Sequence, residues 1–318
     1  MKKRIRLSQV RIGMFVEELE STRRALRTGP FLVETAADVE RVLQSSALSA
    51  VINTERGVDT SDGVSIWSAD QRGLEATLLA RFTREEIREA RQSVESTMPH
   101  VRSLMGEARM NGVFAVDSAN AAVEQIMAGA TRNPGALLGI LRLKKADQTT
   151  FLHSLAVSAL MIAFGRRLGL SENELQLLGF GGLVHDLGKM LMPKEVLGKA
   201  GKLTAQEVAI MHQHPQRGHD LLRQIEGIDP VVLDICLYHH ERYDGAGYPS
   251  GLAGEDIPYA ARLAAICDVY EVMTTIRPYK KAWSQADTIE MMMRASGHFD
   301  PALLRSFVST MILTGEVL

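Results

Sequence analysis

Leu183-Val184-His185-Asp186-Leu187-Gly188-Lys189 closes an apolar helical run with an imidazole and a carboxylate on adjacent residues. Three later pieces belong with it: His214-Pro215, then His239-His240-Glu241-Arg242-Tyr243-Asp244-Gly245-Ala246-Gly247-Tyr248-Pro249, then Asp268. Imidazole suits iron, zinc or nickel, and carboxylates suit manganese and magnesium. Mixed sets with a shared carboxylate serve hydrolytic sites built on two neighbouring divalent metals.

Outward from this stretch, residues from Ala136 onward carry almost wholly helical patterns, with Ser171 and Glu174 as a capping box. Strand patterns are absent there, which predicts an all-α domain. His153, in Thr149-Thr150-Phe151-Leu152-His153-Ser154-Leu155-Ala156, shares a face with Val157, Leu160 and Phe164 and so points into the core. A lone His on an apolar face reads either as a hydrogen-bonded core residue or as a ligand. His212, His214 and His219 crowd one segment, and His212 would point about 200° around a helix from His214. His239 and His240 diverge by about 100° on a regular helix. Both reach one centre only if the helix expected from Val231 to Tyr238 is ending there, which the downstream Gly and Pro favour. Asp268 lies in the apolar run Ala264-Ala265-Ile266-Cys267-Asp268-Val269-Tyr270, where an unpaired carboxylate is costly and needs a cation. Glu241 and Asp244 are candidates to orient ligand imidazoles. His100 and His298 match no pattern.

From about Asp147 to Lys281 these pieces closely resemble the HD-GYP domain, a branch of the HD phosphohydrolases. There HD names the His-Asp pair, here His185-Asp186, and GYP names a loop, here Gly247-Tyr248-Pro249. The family hydrolyses cyclic di-GMP, a bacterial second messenger. The resemblance implies one metal on His153, His185, Asp186 and Asp268 and another on Asp186, His214, His239 and His240, with Asp186 bridging. It selects His214 because the family's ligand stands before Pro, and leaves His212 and His219 as surface residues or outer partners. One subgroup has a Glu one turn before the first His and binds a third metal. Thr149 stands there, so two metals are expected, iron or manganese ahead of zinc.

The same resemblance implies phosphodiester hydrolysis through a hydroxide shared by the two metals, giving pGpG and, where cleavage continues, GMP. Asp186 and Lys189 are its catalytic candidates, with the Lys189 ammonium reaching a phosphoryl oxygen. Arg277 and Lys280, in Arg277-Pro278-Tyr279-Lys280, match the family's phosphate contacts, one a bidentate donor and the other a point charge. The Gly245–Pro249 loop is expected to shape the pocket rim or a partner surface. Two other readings stay open. One is an HD hydrolase acting on another nucleotide or cyclic dinucleotide; the other is a catalytically silent signalling module working through partner contacts.

At 318 residues the chain has room for two domains. A net charge of -2 gives none of the basic footprint of a duplex nucleic-acid binder. No run approaches the roughly 20 apolar residues of a membrane span, and the basic start lacks the apolar stretch of a signal peptide. Cys236 and Cys267 lie in apolar helical runs and read as buried hydrophobes in a reducing compartment. A cytoplasmic location is expected.

Residues 1–65 read as a small mixed α/β domain. Arg11–Val16, Phe31–Val33 and Ala50–Asn53 are strand candidates, and Ala36 to Gln44 has helical spacing. The domain is similar to one with a Gly-Met-x-Val signature, here Gly13-Met14-Phe15-Val16, that often precedes HD-GYP domains. Residues 55–72 read as loop or linker. Residues 66–133 read as a helical connector, opened by a Thr83/Glu86 capping box and containing a second helix from about Ser118 to Ala130. Pro99 is expected to kink or end the first connector helix, and it interrupts the heptad seam a dimerising coiled coil needs. The catalytic domain is expected over 134–318. Besides cyclic di-GMP, the partner expectation is a homodimer or a signalling protein met through the N-terminal domain or the GYP loop.

Overall fold

The computed structural model describes residues 2–20, 29–45, 47, 49–59, 64–65, 78–111, 115–143, 149–199, 201–275 and 285–312. By its internal contacts the chain divides into two units, 1–77 and 78–318.

In the first unit, strands β1 (Lys2–Arg6), β2 (Phe15–Glu20), β3 (Phe31–Leu32), β4 (Ser49–Asn53) and β5 (Val64–Ser65) form an antiparallel sheet. Its order is β3-β2-β4-β1-β5. Helix α1 (Ala36–Leu43) opens on Thr35, whose hydroxyl accepts from the Asp38 amide while the Asp38 carboxylate accepts from the Thr35 amide at 2.9 Å. Met14, Val16, Val33, Val42, Ala50 and Ile52 gather into one apolar core. Three details differ from the sequence reading, the first being that Val64–Ser65, inside the span 55–72 read as loop or linker, pairs with β1 as strand β5. The strand expected from Arg11 starts at Phe15, because Gly13 turns the chain at φ 91° just before it. Strand β1 has one apolar residue, Ile5, and no alternation to announce it; pairing along β4, from Lys2 opposite Asn53 to Arg6 opposite Ser49, makes it a strand.

The second unit begins with α2 (Arg84–Asn111), capped by Thr83: the Thr83 amide donates to Glu86 at 2.8 Å and the Glu86 amide donates to the Thr83 hydroxyl at 3.2 Å. Pro99 does not end this helix. Val101, Leu104, Met105 and Met98 are buried around it. Burying such side chains at about 1.5–3 kcal/mol each outweighs the roughly 3 kcal/mol cost of an internal proline. Helix α3 (Val116–Arg132) and α4 (Pro134–Arg142) meet at Asn133, which accepts from the Ala136 amide at 2.9 Å and donates to Glu86 at 2.8 Å.

Helices α5 (Thr149–Arg167) and α6 (Glu172–Val184) then pack against one another. Ser171 and Glu174 form the capping box that opens α6. A Cβ at Gly182 would stand 2.9 Å from the Ser158 Cα, so the two backbones approach as closely as glycine allows. A 3-10 turn (Leu187–Leu191) and short helices α7 (Lys194–Leu197) and α8 (Ala205–Met211) lead to α9 (His214–Leu222) and α10 (Pro230–Tyr238). A Cβ at Gly188 would collide with the His214 carbonyl, so the turn lies directly on the first residue of α9. Helix α11 (Tyr259–Thr274) is buried along most of its length, and α12 (Gln285–Arg294) and α13 (Pro301–Phe307) follow. Among the described residues this unit has no strand beyond an isolated bridge between Asp244 and Ala253. The class is the one the sequence implies, mainly α with a small α/β N-terminal unit. Among the described residues no helix is long and apolar enough to cross a membrane.

Candidate metal centre

Helix ends and close helix packing bring the seven predicted ligands into one buried cluster. His153 comes from the first turns of α5, His185 and Asp186 from the end of α6, and His214 from the first residue of α9. His239 is the residue on which α10 stops, at φ -64° and ψ -12°, and His240 follows it off the helix. That ending lets two consecutive imidazoles reach one place. Asp268 projects from the middle of α11 and is 7% exposed.

The donor atoms fall into two groups that share Asp186. His214, His239 and His240 join Asp186 in one, and His153 and His185 join it in the other, with the atoms of each group within 4.8 Å of one another. Asp186 Oδ1 lies 3.2 Å from His214 Nε2 and 3.7 Å from His239 Nε2. Its Oδ2 lies 3.5 Å from both His153 Nε2 and His185 Nε2. The Asp268 Oδ1 adds itself to the second group at 3.2 Å from His153 Nε2 and 3.9 Å from His185 Nε2. Lys189 reaches into the cluster, its Nζ donating to Asp186 Oδ2 at 2.5 Å.

What orients these rings lies one layer out. The His185 Nδ1 faces the Gly182 carbonyl at 2.8 Å, that of His214 the Met211 carbonyl at 2.7 Å, and that of His239 the Cys236 carbonyl at 3.0 Å. A carbonyl can only accept, so the neutral ring carries its proton on Nδ1 and presents a lone pair from Nε2. The His214 and His239 Nε2 atoms then stand 3.4 Å apart as two lone pairs. His185 Nε2 and Asp186 Oδ1 are buried and make no hydrogen bond; the 3.2 Å approach of His214 to that oxygen is not aligned for one. Lone pairs converging without donors need a cation, and this donor set fits a divalent metal.

The residue that the sequence reading missed is Glu271. It is 2% exposed, one helical turn after Asp268 on α11, and its Oε2 lies 2.5 Å from His153 Nδ1. The Thr275 hydroxyl donates to its other oxygen at 2.7 Å. A carboxylate behind a metal-facing imidazole fixes the ring and raises its basicity. The i, i+3 spacing of two carboxylates in an apolar helix was the available signal. Glu241 and Asp244 do not orient imidazoles. Glu241 accepts from the Ser250 and Gly251 amides at 2.7 and 3.1 Å, and Asp244 pairs with Arg242 at 2.6 Å and caps the Ala246 amide. Both carboxylates serve the loop rather than the cluster.

Charge in the cluster is finely set. Burial opposes a proton on His153, but Glu271, Asp186 and Asp268 outweigh it and hold the ring up at about 10. Burial drives His185 down to about 4 and lowers His214 and His240 as well. Asp186 stays ionised: burial works against the charge, and Lys189 and His185 overcome it to hold the carboxyl well below its ordinary range. Without a metal, the His153 imidazolium, the Lys189 ammonium and, beside Glu271, the Arg142 guanidinium are among the positive charges acting on the carboxylates of Asp186, Asp268 and Glu271. Cys236 and Cys267 are both buried and unpaired, and burial raises their thiols. Arg277 and Lys280 lie outside the described residues, as does the side chain of Thr149.

The fold and the cluster together define a class: a helical hydrolase-type domain with a shared-carboxylate His/Asp centre. The model of the HD domain family matches residues 131–303, and the chain belongs to that family. A domain of unknown function, DUF3391, matches residues 2–119. The chain is 40% identical over 319 aligned residues to the cyclic di-GMP phosphodiesterase PA4108 of Pseudomonas aeruginosa, covering 97% of this chain and 76% of that protein. It is 41% identical over 163 residues to the cyclic di-GMP phosphodiesterase response regulator RpfG of Xanthomonas campestris, covering 49% of this chain and 43% of that one. A 3'3'-cGAMP-specific phosphodiesterase of Vibrio cholerae is 40% identical over 138 residues, 43% of this chain and 26% of its own length. Among solved structures, Bd1817, an HDG"Y"P protein of Bdellovibrio bacteriovorus, aligns with a TM-score of 0.59 at 18% identity, over 99% of this chain and 100% of that one. At that identity the likeness speaks for the fold.

Proposed function

We propose that this protein hydrolyses cyclic di-GMP to pGpG, and onward to GMP where the linear product is cleaved again, using two divalent cations. The observation that carries the reading is the convergence of Nε2 lone pairs on a carboxylate that both donor groups share. The 40% identity to a protein named cyclic di-GMP phosphodiesterase, over 97% of this chain, supplies the substrate class.

In this reading His153, His185, Asp186 and Asp268 hold one cation and Asp186, His214, His239 and His240 hold the other. When bound, such a pair supplies an activated water and a clamp on the phosphoryl oxygens. The chain's own residues do the rest. Glu271 keeps His153 aimed inward, and the carbonyls of Gly182, Met211 and Cys236 do so for His185, His214 and His239. Lys189, 28% exposed beside the buried Asp186, sits at the edge from which its ammonium can answer negative charge developing on phosphorus. Arg277 and Lys280 hold the phosphates of the substrate. Iron or manganese is the metal pair that the family resemblance implies, ahead of zinc.

The test is turnover of cyclic di-GMP by the full chain with Mn²⁺ or anaerobic Fe²⁺, beside 3'3'-cGAMP, linear pGpG and other nucleotides. Cyclic di-GMP should be cleaved fastest. Because one relative carries the name of a 3'3'-cGAMP-specific enzyme, preference for that dinucleotide is the second reading. A metal-loaded chain that cleaves none of the panel would sink both.

A further inference from the structure

Four of the five imidazoles in the cluster have an acceptor on Nδ1: Glu271, or the carbonyls of Gly182, Met211 and Cys236. His240 is the exception. Among the described residues no hydrogen bond reaches its ring. An imidazole without such a partner is free about its terminal torsion, which is broad and roughly two-fold. Something else must hold it if it is to serve as a ligand.

Its ring stands 4.2 Å from that of His239, tilted by 44°, and 5.0 Å from that of His214, edge-on; outside the donor set it meets the ring of Tyr248. The His240 and Tyr248 rings stack with centroids 4.8 Å apart and planes at 28°. On its other face Tyr248 stacks on His212, 3.9 Å away at 10°. The loop that carries Tyr248 is itself fixed. The Tyr248 amide donates to the His240 carbonyl at 3.3 Å, and Glu241, 2% exposed, accepts from the amides of Ser250 and Gly251. Gly247 has backbone of Glu241 and Arg242 where a side chain would stand, so the loop returns tightly onto the residues that follow His240.

We infer that Tyr248 is the positioning residue for His240, its ring doing by stacking what an Nδ1 hydrogen bond does for the other four imidazoles. The inference rests on the two-metal reading and adds to it an assignment for the loop. His212 backs the stack from the exposed side. The consequence is selective. His240 belongs to the donor group of His214 and His239, so loss of the ring should loosen that cation and spare the one near His153.

The experiment is a Co²⁺ titration of the metal-stripped full chain, followed by ligand-field absorption and calorimetry, for wild type, Tyr248→Phe and Tyr248→Leu. Wild type should take two equivalents, and Tyr248→Phe should match it because the ring remains. Tyr248→Leu should keep one tight equivalent and bind the second about 10-fold or more weakly, the range typical when an orienting partner is removed. The retained equivalent also reports that the fold is intact. An unweakened second equivalent in Tyr248→Leu would overturn the inference, as would equal weakening in Tyr248→Phe, which would assign the role to the hydroxyl. Loss of both equivalents together in Tyr248→Leu would also overturn it, since the ring would then act on the whole fold. Wild type taking fewer than two equivalents would instead overturn the two-metal reading, and the inference with it.

Discussion

The two units of this chain bury different things. Among the described residues of 1–77, every buried side chain is apolar, from Ile5 and Met14 to Ile52. The unit over 78–318 buries His153, His185, Asp186, His214, His239, Glu241, Asp268 and Glu271 within a few helices. Burying polar and charged groups costs free energy unless partners meet them. The described interior of the first unit is held by apolar packing, whereas the second carries in its core polar and charged groups that must find partners in one another or in a bound cation. Chemistry is to be sought where the interior departs from apolar packing.

The largest effect expected from that contrast is at Asp186. Asp186→Ala removes the carboxylate common to both donor groups, and hydrolysis should fall on the order of 10³-fold or more, the scale of several kcal/mol of metal-assisted stabilisation. Initial rates with cyclic di-GMP and metal content by elemental analysis check it. A variant that still holds two metals and turns over normally would break the contrast at its centre.

Glu271→Gln should do less. It keeps the size of the side chain and removes the negative charge behind His153, and metal affinity should drop roughly 10–100-fold. A competition titration with a chromophoric chelator measures this.

Proton release sharpens the same point. His153 rises to about 10 because Glu271, Asp186 and Asp268 outweigh burial, so below that pH its Nε2 must lose a proton before it can bind a metal. Metal uptake should release that proton, and apparent affinity should climb as pH rises toward about 10. Calorimetry in buffers of differing ionisation enthalpy counts the protons. In Glu271→Gln the dependence should move to lower pH, because the charge that raises His153 is gone.

The smallest effect on the site belongs to the first unit. Ile52→Ala should destabilise that unit by about 2–5 kcal/mol, visible in its thermal unfolding, while metal stoichiometry stays at the wild-type value. A loss of metal in this variant would show that the two units are not independent in function.

Most of the cluster was legible in the sequence because its ligands stand on unusual ground. A His-Asp pair after an apolar run, paired histidines before glycines, and an aspartate inside Ala264–Tyr270 each violate the pattern around them. Glu271 was harder to see, since a Glu on a helix is ordinary until the helix is known to be buried on that face. Strand β1 was hidden for the opposite reason. Its residues look like a solvated basic start, and only the partner strand shows them as sheet.

By itself the sequence determined the helical class of the larger unit, the side chains that gather in the cluster and the capping boxes that begin its helices. These follow from side-chain chemistry and local periodicity, which the chain carries at short range. Tertiary structure alone decided which atoms meet: that Gly188 lets the His-Asp turn rest on His214, and that His153 turns to Glu271 while His240 leans on Tyr248. Those outcomes depend on how closely separate helices approach, and close approach is set by packing between residues far apart in the chain.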